Sequence, residues 1–496
     1  MPAPLLTKSS FMHFKECPIR LWLEKVRPDV CVPEEGGVGL VAQQGREVDL
    51  LARGLYPGGV EIRSFNLEGF RDTQVAMSGG AKILFQPTAF ASSLSARADI
   101  LTLGADGKWN IHEVKMATSV KDDYYFDLAF QKICFELAGI PIGKTFLTHI
   151  NNGYVRRGAI EVNELFIEED VTDLVLGKIQ AVEDLIPRAK EVLDWPQQLA
   201  AVHLAQCHDL VTCKYTGCWL NHFVYPIKEG IMRVLGPATA AAMLESGGVT
   251  LEGLSDEFLA SIPYRAPEVL WPHRIDKDRI RADIEALEYP LYFFDYETYS
   301  SPIPPFDGYR PYQQVPFQYS LFVLSRDAES RRHDFLMRTF DDPALDLIAD
   351  MRQEIGPSGN LVAWHASFEM GRNRELAEAH PEHADFLFGL NNRMYDLIRP
   401  FKQHAYVHPG FRGSASLKKV MPVLVPELSY DNLNIRKGDQ ASATWPVITD
   451  PTISEAEKEK LIADEIEYCR LDVYGMVRIL EALKRDVESD KHPFAP

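Results

Sequence analysis

The sequence predicts a multidomain protein of the α/β class. Apolar strand-like runs and segments of helical periodicity occur together over about the first 220 residues, and they alternate again from Pro290 to the end. At 496 residues the chain is long enough for two or three domains, each with its own core. No run approaches the roughly eighteen consecutive apolar residues of a membrane helix, and the start MPAPLLTKSSFMHF lacks the features of a secretory signal. We therefore expect a soluble, cytoplasmic protein.

The charge balance restricts the ways in which this chain can meet nucleic acid. A formal net charge of −19 argues against a protein that coats nucleic acid by bulk electrostatics, because phosphate binding depends on Lys and Arg. The charge still permits an enzyme that holds metal ions in acidic pockets and touches phosphates through local basic patches. The segments HRIDKDRIR (273–281) and SLKK (416–419) are such patches, although each is more often a solvated helix face.

The first part of the chain combines two predicted strands with two predicted helices. ILTL (100–103) and NIHEVKM (110–116) read as strands joined by a Gly-containing turn, and the segments 126–137 and 174–193 read as helices. Asp99 precedes the first strand, while Glu113 and Lys115 lie at i and i+2 on one face of the second. A Glu–Lys pair of this kind is often only a solvent-exposed pair worth less than about 1 kcal/mol.

With an Asp one hairpin earlier, this pair forms a D…E-x-K pattern that resembles the PD-(D/E)XK nucleases. The stretch AQQGREVDLLAR resembles the RecB-family helix that carries a further metal ligand, here Asp49 with Glu47 as the rival. Downstream, YYFDLAFQKICFELAGI resembles the helix that carries the family's glutamine. The resemblance implies a restriction-endonuclease-like fold, in which Lys115 positions or deprotonates the attacking water. The implied metal ligands are Asp49, Asp99 and Glu113, and the implied catalytic residues of this domain are Lys115 and Gln131.

Seven cysteines in a long chain without a secretory signal do not suggest a disulfide framework, but three of them are crowded into QCHDLVTCKYTGCW. The opening LTKSSFMHFKECPIRLWLEKVRPD resembles the start of RecB-like nucleases that join their two ends with a 4Fe–4S cluster. That resemblance implies cluster ligands at Cys17, Cys207, Cys213 and Cys218. Four thiolates suit Zn²⁺ equally well, so zinc remains an alternative. We expect the other cysteines, Cys31, Cys134 and Cys469, to be structural.

The segment from about 229 to 287 is polar and helical in pattern, which predicts a connector. Two short helices around Gly247–Gly248 have the form of a helix-hairpin-helix phosphate clamp, but a plain connecting hairpin is the more frequent structure. The last residues, SDKHPFAP, read as a frayed tail.

A new strand, LYFFDYETY (291–299), ends in two acids one residue apart. Side chains at i and i+2 of a strand share a face, so Asp295 and Glu297 would project together about 7 Å apart along the strand. Two like charges this close repel each other unless a positive group lies between them. A lone D-x-E is most often a strand that runs out into a solvated loop, so the other acids of the domain must decide.

The final helix carries two further polar residues of interest. Ser454 followed by Glu457 has the spacing of a capping box. The predicted buried stripe that follows consists of Ile462, Ile466, Cys469, Val473, Met476, Leu480 and Leu483. Tyr468 and Asp472, at i and i+4, share a face beside that stripe, although a Y-x-x-x-D pattern on a helix is common.

Between these elements lies GNLVAWHASFEMGRNREL, a strand (361–364) that leads into a helix with Glu369 in its first turn. The order D-x-E, strand-to-helix acid and Y-x-x-x-D resembles the DEDD exonucleases of ribonuclease H-like fold, in the variant with a tyrosine. This resemblance implies two divalent ions held by Asp295, Glu297, Glu369 and Asp472, with Tyr468 orienting the attacking water. MYDLIRPF, with Asp396, resembles the strand-end acid that follows the second motif. This chain departs from the pattern in having His365 where Asn is common and the longer Glu369.

Together the resemblances imply a PD-(D/E)XK domain over 1–222, a helical connector over 223–288, a DEDD-type domain over 289–487 and a tail over 488–496. They also place the chain near a bacterial family that remains uncharacterised. The expected activity is Mg²⁺- or Mn²⁺-dependent phosphodiester hydrolysis, with DNA favoured over RNA and release of nucleotides from a 3′ end by the C-terminal site, in DNA repair or defence. The alternatives are a nucleic-acid-binding or assembly protein with a degenerate site, and an RNA-directed exonuclease.

Overall fold

The computed structural model describes residues 5–29, 31, 38–197, 274–411 and 414–489. Strands and helices are mixed throughout these ranges, which confirms the predicted α/β class. Within them, every helix is too short or too polar to cross a membrane.

The chain divides into two compact units that differ from a simple cut along the sequence. Unit 1 comprises Met1–Tyr225, Gly236–Gly247 and Ser301–Tyr312, and unit 2 comprises Pro226–Leu235, Gly248–Ser300 and Gln313–Pro496. The short segment Ser301–Tyr312 therefore belongs to unit 1, although both of its chain neighbours belong to unit 2.

Unit 1 is built from short strands and from helices of very different length. Its described strands are β1 (Leu6–Thr7), β2 (Val60–Glu61), β3 (Ile83–Phe85), β4 (Thr88–Ala91), β5 (Leu94–Arg97), β6 (Ile100–Leu103), β7 (Trp109–Lys115), β8 (Ile142–Ile150) and β9 (Phe166–Asp170). Its described helices are α1 (Lys8–Glu16), α2 (Pro18–Lys25), α3 (Val38–Ala52), α4 (Asn66–Ser78), α5 (Asp122–Leu137), α6 (Val162–Leu165), α7 (Thr172–Leu176) and α8 (Ile179–Leu193).

The main sheet of unit 1 has the strand order β2-β3-β6-β7-β8-β9. β6 and β7 form the predicted antiparallel hairpin, β8 runs parallel to β7, and β9 closes the described part of the sheet in the antiparallel sense. The helix predicted over 174–193 is wrong as a single element, because α7 ends at Leu176 and α8 begins at Ile179. Gly177 lies at the break, where a residue without a side chain disfavours a continuous helix.

The N-terminal segment of unit 1 is built into the fold. β1 pairs in parallel with β5, and the side chain of Leu6 is fully buried. Thr7 caps α1 by accepting a hydrogen bond from the backbone N–H of Ser10 at 3.2 Å. The ring of Phe11 on α1 stacks on Phe130 of α5, with centroids 4.7 Å apart. These contacts fix the position of Lys8, the first residue of α1.

Unit 2 is organised around one mixed sheet. Its described strands are β10 (Arg274–Ile275), β11 (Leu291–Tyr299), β12 (Val315–Leu324), β13 (Ser330–Leu336), β14 (Asn360–Ala363), β15 (Met394–Asp396) and β16 (Tyr406–Val407). Its described helices are α9 (Lys277–Glu285), α10 (Ala344–Glu354), α11 (Ser367–Ala379), α12 (Ala384–Asn392), α13 (Arg399–Lys402), α14 (Leu417–Leu424), α15 (Gly438–Ile448) and α16 (Glu455–Glu488).

The strand order in this sheet is β13-β12-β11-β14-β15, so the D-x-E strand β11 lies in the middle. β11 is antiparallel to β12 and parallel to β14, and β14 is parallel to β15. Alternate residues of β11 enter two different cores. Leu291 and Phe293 belong to the core with α16, and Phe294 and Tyr296 belong to the core with α10 and α11. This two-sided burial explains the continuous apolar run at the start of LYFFDYETY.

The long helix α16 packs against β11 and β12. Its N-cap is Ser454, whose side chain accepts a hydrogen bond from the backbone N–H of Glu457, as the sequence predicted. The predicted stripe is buried except for the half-buried Ile466. The capped start and the continuous stripe hold Tyr468 and Asp472 over the end of β11.

Candidate functional sites

In unit 2 the two acids of β11 face α16. Asp295, Glu297 and Cys469 each offer a ligand atom, and these atoms all lie within 4.8 Å of one another. The Cys469 thiol also lies 3.6 Å from the backbone carbonyl oxygen of Asp295, so that α16 contacts the strand directly here. The sequence treated Cys469 as structural, and its full burial agrees with that role.

Asp472, one helical turn beyond Tyr468, joins this pair of acids. Desolvation and the nearby carboxylates of Asp472 and Glu369 raise the pKa of Asp295 well above its usual value. The pKa of Glu297 is raised by desolvation and by the charges of Asp295 and Asp472. Burial raises the pKa of Asp472 to about 6, against the hydrogen bond that it accepts from Tyr430. The mutual effects show that these carboxylates share one electrostatic site.

Glu369, in the first turn of α11, completes the group and is 2% exposed. Its Oε2 atom has no hydrogen-bond partner among the described residues. Burial, with a smaller effect from Asp396, raises the pKa of Glu369 to about 8. A buried carboxylate oxygen without a donor, in a group of four acids, fits a divalent cation that prefers oxygen ligands. The donor set of unit 2 therefore suits Mg²⁺ or Mn²⁺.

Asp396 lies at the end of β15, next to the end of β14 in the parallel pair. It accepts a hydrogen bond from the backbone N–H of His365 at 2.9 Å. His365 has a φ of +70°, an uncommon conformation for a residue other than glycine. Asp396 thus holds the turn that brings Glu369 to the site, which is a positioning role.

Sequence reasoning missed two partners of Tyr468 and Asp472. The Lys418 ammonium, at the start of α14, donates a hydrogen bond to the Tyr468 hydroxyl at 3.1 Å and lies 5.0 Å from the ring centroids of both Tyr468 and Tyr430. The Tyr430 hydroxyl donates to a carboxylate oxygen of Asp472. Desolvation and nearby carboxylates raise the pKa of both tyrosines, so their hydroxyls stay protonated at neutral pH. The SLKK patch was the signal for Lys418, but a charge run does not show which lysine turns inward.

Gly438, the first residue of α15, borders the same site. A Cβ atom at this position would lie 4.0 Å from Glu297 Oε2 and 4.0 Å from the Tyr468 hydroxyl. The wall of the site is bare backbone here, which leaves room beside the acids and the tyrosine.

In unit 1 the structure brings Asp49 and Asp99 to one amide. Gln86 Nε2 donates to Asp49 Oδ1 and to Asp99 Oδ1, at 3.2 Å in each case. The other Asp99 oxygen accepts from the backbone N–H of Val114 at 2.8 Å. Glu47, the rival of Asp49, is exposed and accepts a hydrogen bond from Gln43 instead. The two aspartates that converge here form a donor set suited to a divalent cation.

Glu113 and Lys115 meet on the face of β7, and α5 supplies their partners. Lys115 Nζ lies 2.6 Å from Glu113 Oε1 and 2.7 Å from Asp127 Oδ2. Gln131 Nε2 donates to Glu113 Oε2 at 2.7 Å and to Asp127 Oδ1 at 2.9 Å. Asp127 was missed by the sequence argument, although it lies four residues before Gln131 and so shares its helix face.

Lys8 is the second residue that sequence reasoning missed in unit 1. Its Nζ lies 2.8 Å from Glu113 Oε1 and 3.5 Å from Asp127 Oδ1. Burial acts to lower the pKa of Lys8, but the charges of Asp127 and Glu113 outweigh that effect and raise it. Lys115 is held protonated in the same way, and desolvation raises the pKa of Glu113 despite the two ammoniums. No local motif links Lys8 to residues more than 90 positions away.

The predicted cysteine cluster is described only at one ligand. Cys17 lies between α1 and α2 and is half-buried. Cys207, Cys213 and Cys218 lie outside the described residues, as do Gly247–Gly248 and most of the predicted connector. The iron–sulfur and zinc alternatives therefore both stay predictions.

Comparisons with known proteins agree with an established domain in unit 2 without assigning an activity. Residues 292–416 match the family described as Domain of unknown function (DUF2779). The chain is 24% identical over 206 residues to Uncharacterized protein MG366 of Mycoplasma genitalium, covering 38% of this chain and 31% of that protein. It is also 24% identical over 205 residues to Uncharacterized protein MG366 homolog of Mycoplasma pneumoniae, with the same coverage of both chains. The chain thus spans less than a third of the length of these relatives.

Among solved structures, the chain is similar to the one titled "Crystal structure of SSO0001", at 13% identity and a TM-score of 0.23. That similarity covers 43% of this chain and 87% of the other.

Proposed function

We propose that this protein is a metal-dependent nuclease that hydrolyses phosphodiester bonds, with DNA as the favoured substrate and one site in each unit. The observation that carries the proposal is the group of four carboxylates in unit 2. Asp295, Glu297, Glu369 and Asp472 lie within one electrostatic site, and one Glu369 oxygen is buried without a donor. A fold that only needed stability would be better served by apolar residues at such positions.

The fold of unit 2 is compatible with this function. A mixed sheet with β11 at its centre and helices on both faces accords with the ribonuclease H-like fold that the DEDD resemblance implies. The acids come from the end of β11, the first turn of α11 and the middle of α16. Active sites of such sheets lie in the crevice beyond the ends of the parallel strands.

The residues of unit 2 have separable roles in this proposal. The four carboxylates would hold the divalent ions, which when bound supply Lewis acidity and offset the charge of the phosphate. The Tyr468 hydroxyl, fixed by Lys418, positions the attacking water near Glu297. Lys418 also places a positive charge beside the path of the phosphate. By resemblance, this site releases nucleotides from a 3′ end.

In unit 1, Asp49, Asp99 and Glu113 would hold a divalent ion. Lys115 lies beside Glu113, where it orients the water and stabilises negative charge on the phosphate. Gln131 holds Glu113 and Asp127 together from α5.

The test is cleavage of end-labelled single- and double-stranded DNA and RNA with Mg²⁺ or Mn²⁺, using anaerobically purified full chain. We expect Lys115→Ala and Asp295→Asn each to remove a distinct set of products. Matched controls are Lys144→Ala, which changes an exposed lysine paired with Asp170, and Asp278→Asn, which changes an exposed acid on α9.

Competition between matched DNA and RNA strands decides the substrate. Preferential cleavage of RNA would replace the DNA assignment by an RNA-directed exonuclease. Binding without cleavage by the wild type under all conditions would overturn the enzyme proposal and favour a nucleic-acid-binding protein.

A further inference from the structure

Lys8 reaches the candidate site of unit 1 from a segment that is far away in sequence. β1 pairs with β5, the side chain of Leu6 is fully buried, and Thr7 caps α1, so the backbone on either side of Lys8 is fixed. The Lys8 side chain is 21% exposed and its ammonium lies between Glu113 and Asp127. The fold thus holds a second cation opposite Lys115.

The charges of the two units differ in a way that gives Lys8 a meaning. In unit 1, the carboxylates of Asp99, Glu113 and Asp127 face two ammoniums, Lys8 and Lys115, which leaves one net negative charge. The remaining acid, Asp49, is paired with Arg53 at 2.6 Å. One divalent ion would make this site singly positive, which complements a singly charged phosphodiester. Two ions would leave a charge of about +3 in a largely buried site, which is costly.

The site of unit 2 has the opposite balance. Its four carboxylates face one ammonium, Lys418, and leave three net negative charges. Two divalent ions bring that site to the same single positive charge. The arithmetic therefore assigns different numbers of ions to the two sites.

We propose that the site of unit 1 takes one divalent ion and that Lys8 supplies the positive charge that a second ion would otherwise supply. The inference rests on the proposed nuclease function of unit 1. In the hydrolysis a water oxygen bonds to phosphorus and one phosphorus–oxygen ester bond breaks. The water loses a proton to the medium, and the leaving oxygen gains one. The Lys8 ammonium donates to a phosphate oxygen and stabilises the charge that develops there.

A structural ion pair is the competing explanation, and it makes a different prediction. Lys115 already contacts both Glu113 and Asp127, so these acids keep an ion pair when Lys8 is neutral. A purely structural Lys8 would stabilise the fold and, when lost, weaken every property of the site together. A Lys8 that replaces an ion would repel the metal, so its loss would strengthen metal binding while cleavage falls.

The first experiment measures stoichiometry. The full chain carrying Asp295→Asn, Glu297→Gln and Asp472→Asn, which removes the acids of unit 2, is titrated with Mn²⁺ by calorimetry. Mn²⁺ is chosen because it prefers oxygen ligands to thiolates. We expect one ion per chain, and two ions per chain would overturn the proposal.

The second experiment uses Lys8→Met in the same background, because methionine keeps most of the buried stem and removes the charge. We expect the products that depend on Lys115 to fall about a hundredfold, and Mn²⁺ to bind about tenfold more tightly. Lys8→Arg should retain most of the cleavage. The control is Lys15→Met, on the same helix, whose ammonium pairs with Asp123 at the surface.

Unchanged cleavage in Lys8→Met, or weaker Mn²⁺ binding together with a lower unfolding temperature, would overturn the role of Lys8. A wild type that binds one Mn²⁺ but cuts nothing in a Lys115-dependent way would instead overturn the nuclease function of unit 1. The Mn²⁺ affinity of Lys8→Met still decides the charge role in that case.

Discussion

The two candidate sites contain similar acids but treat their charges in opposite ways. In unit 1 both Glu113 oxygens accept hydrogen bonds from side-chain N–H groups of Lys8, Lys115 or Gln131. In unit 2, Glu369 has an oxygen without a described partner. The chain itself neutralises most of the charge in unit 1 and leaves most of it exposed to an incoming cation in unit 2. The same kind of motif can therefore depend on metal to very different degrees.

The largest expected effect separates the two sites by chemistry. Asp295→Asn combined with Glu297→Gln should reduce the release of labelled nucleotides from a 3′ end at least about a thousandfold, because it removes two of the four oxygen ligands. The Lys115-dependent products should stay unchanged. Gel analysis of end-labelled DNA measures both. Loss of both product sets would mean that the two units do not act as separate sites.

A smaller effect is expected at the tyrosine of unit 2. Tyr468→Phe should lower the rate of the same exonuclease about a hundredfold, because the hydroxyl that positions water is lost while the ring remains packed. Single-turnover kinetics with Mg²⁺ measures this step. The control is Tyr289→Phe, which removes a hydroxyl that is likewise bonded to a lysine, Lys484, at 2.7 Å. Equal rates in wild type and Tyr468→Phe would contradict the role of Tyr468.

The third prediction concerns pH and the stability of the metal-free protein. The pKa of Glu369 is raised from 4.5 to about 8, so the folded state binds this proton more tightly than the unfolded state does. Its contribution favours folding at low pH and is lost as pH rises from about 4.5 through 8. Glu369→Gln should therefore raise the free energy of unfolding at pH 9 by an amount on the order of a few kcal/mol, and have little effect near pH 5.

Chemical denaturation in a chelator at the two pH values tests this expectation. The matched control is Glu378→Gln, an exposed acid on the same helix. Mn²⁺ should stabilise the wild type more at high pH than at low pH. A stability difference between wild type and Glu369→Gln that does not depend on pH would exclude the burial argument.

The smallest effect tests the internal neutralisation of unit 1. Gln86→Ala removes the amide between Asp49 and Asp99 and should cost about 1 to 2 kcal/mol of stability in a chelator. The loss should disappear when Mn²⁺ is added, because the cation then takes over the role of the amide. Thermal unfolding with and without metal measures it, and Gln180→Ala, which removes a surface contact with Asp184, is the control. An equal loss in both conditions would make Gln86 a structural residue only.

Local pattern was sufficient for the parts of the molecule that depend on nearby residues. The strands at 100–103 and 291–299, the capped start of α16 and its buried stripe follow from period and spacing, and the structure confirms them. Asp295 and Glu297 share a face because a strand has a period of two. The break at Gly177 was missed because apolar periodicity continues across it.

The partners that set the charge of each site were not predictable from pattern. Lys8 and Glu113 are 105 residues apart, and Lys418 and Tyr468 are 50 residues apart. Lys8 is delivered by β1, a strand of two residues that is too short to produce a periodic signal. Lys418 is one of two adjacent lysines, and only the packing of α14 decides which one turns toward the tyrosines.

The donor-free oxygen of Glu369 also has a consequence for how such chains drift under mutation. A buried acid that waits for a cation costs the fold stability, so a descendant that no longer used the metal would gain by replacing it with an apolar residue. Inactive descendants should then be recognisable as the more heat-resistant ones, with Leu or Met where this chain has Glu369. Retaining the acid means accepting a weaker fold in exchange for chemistry.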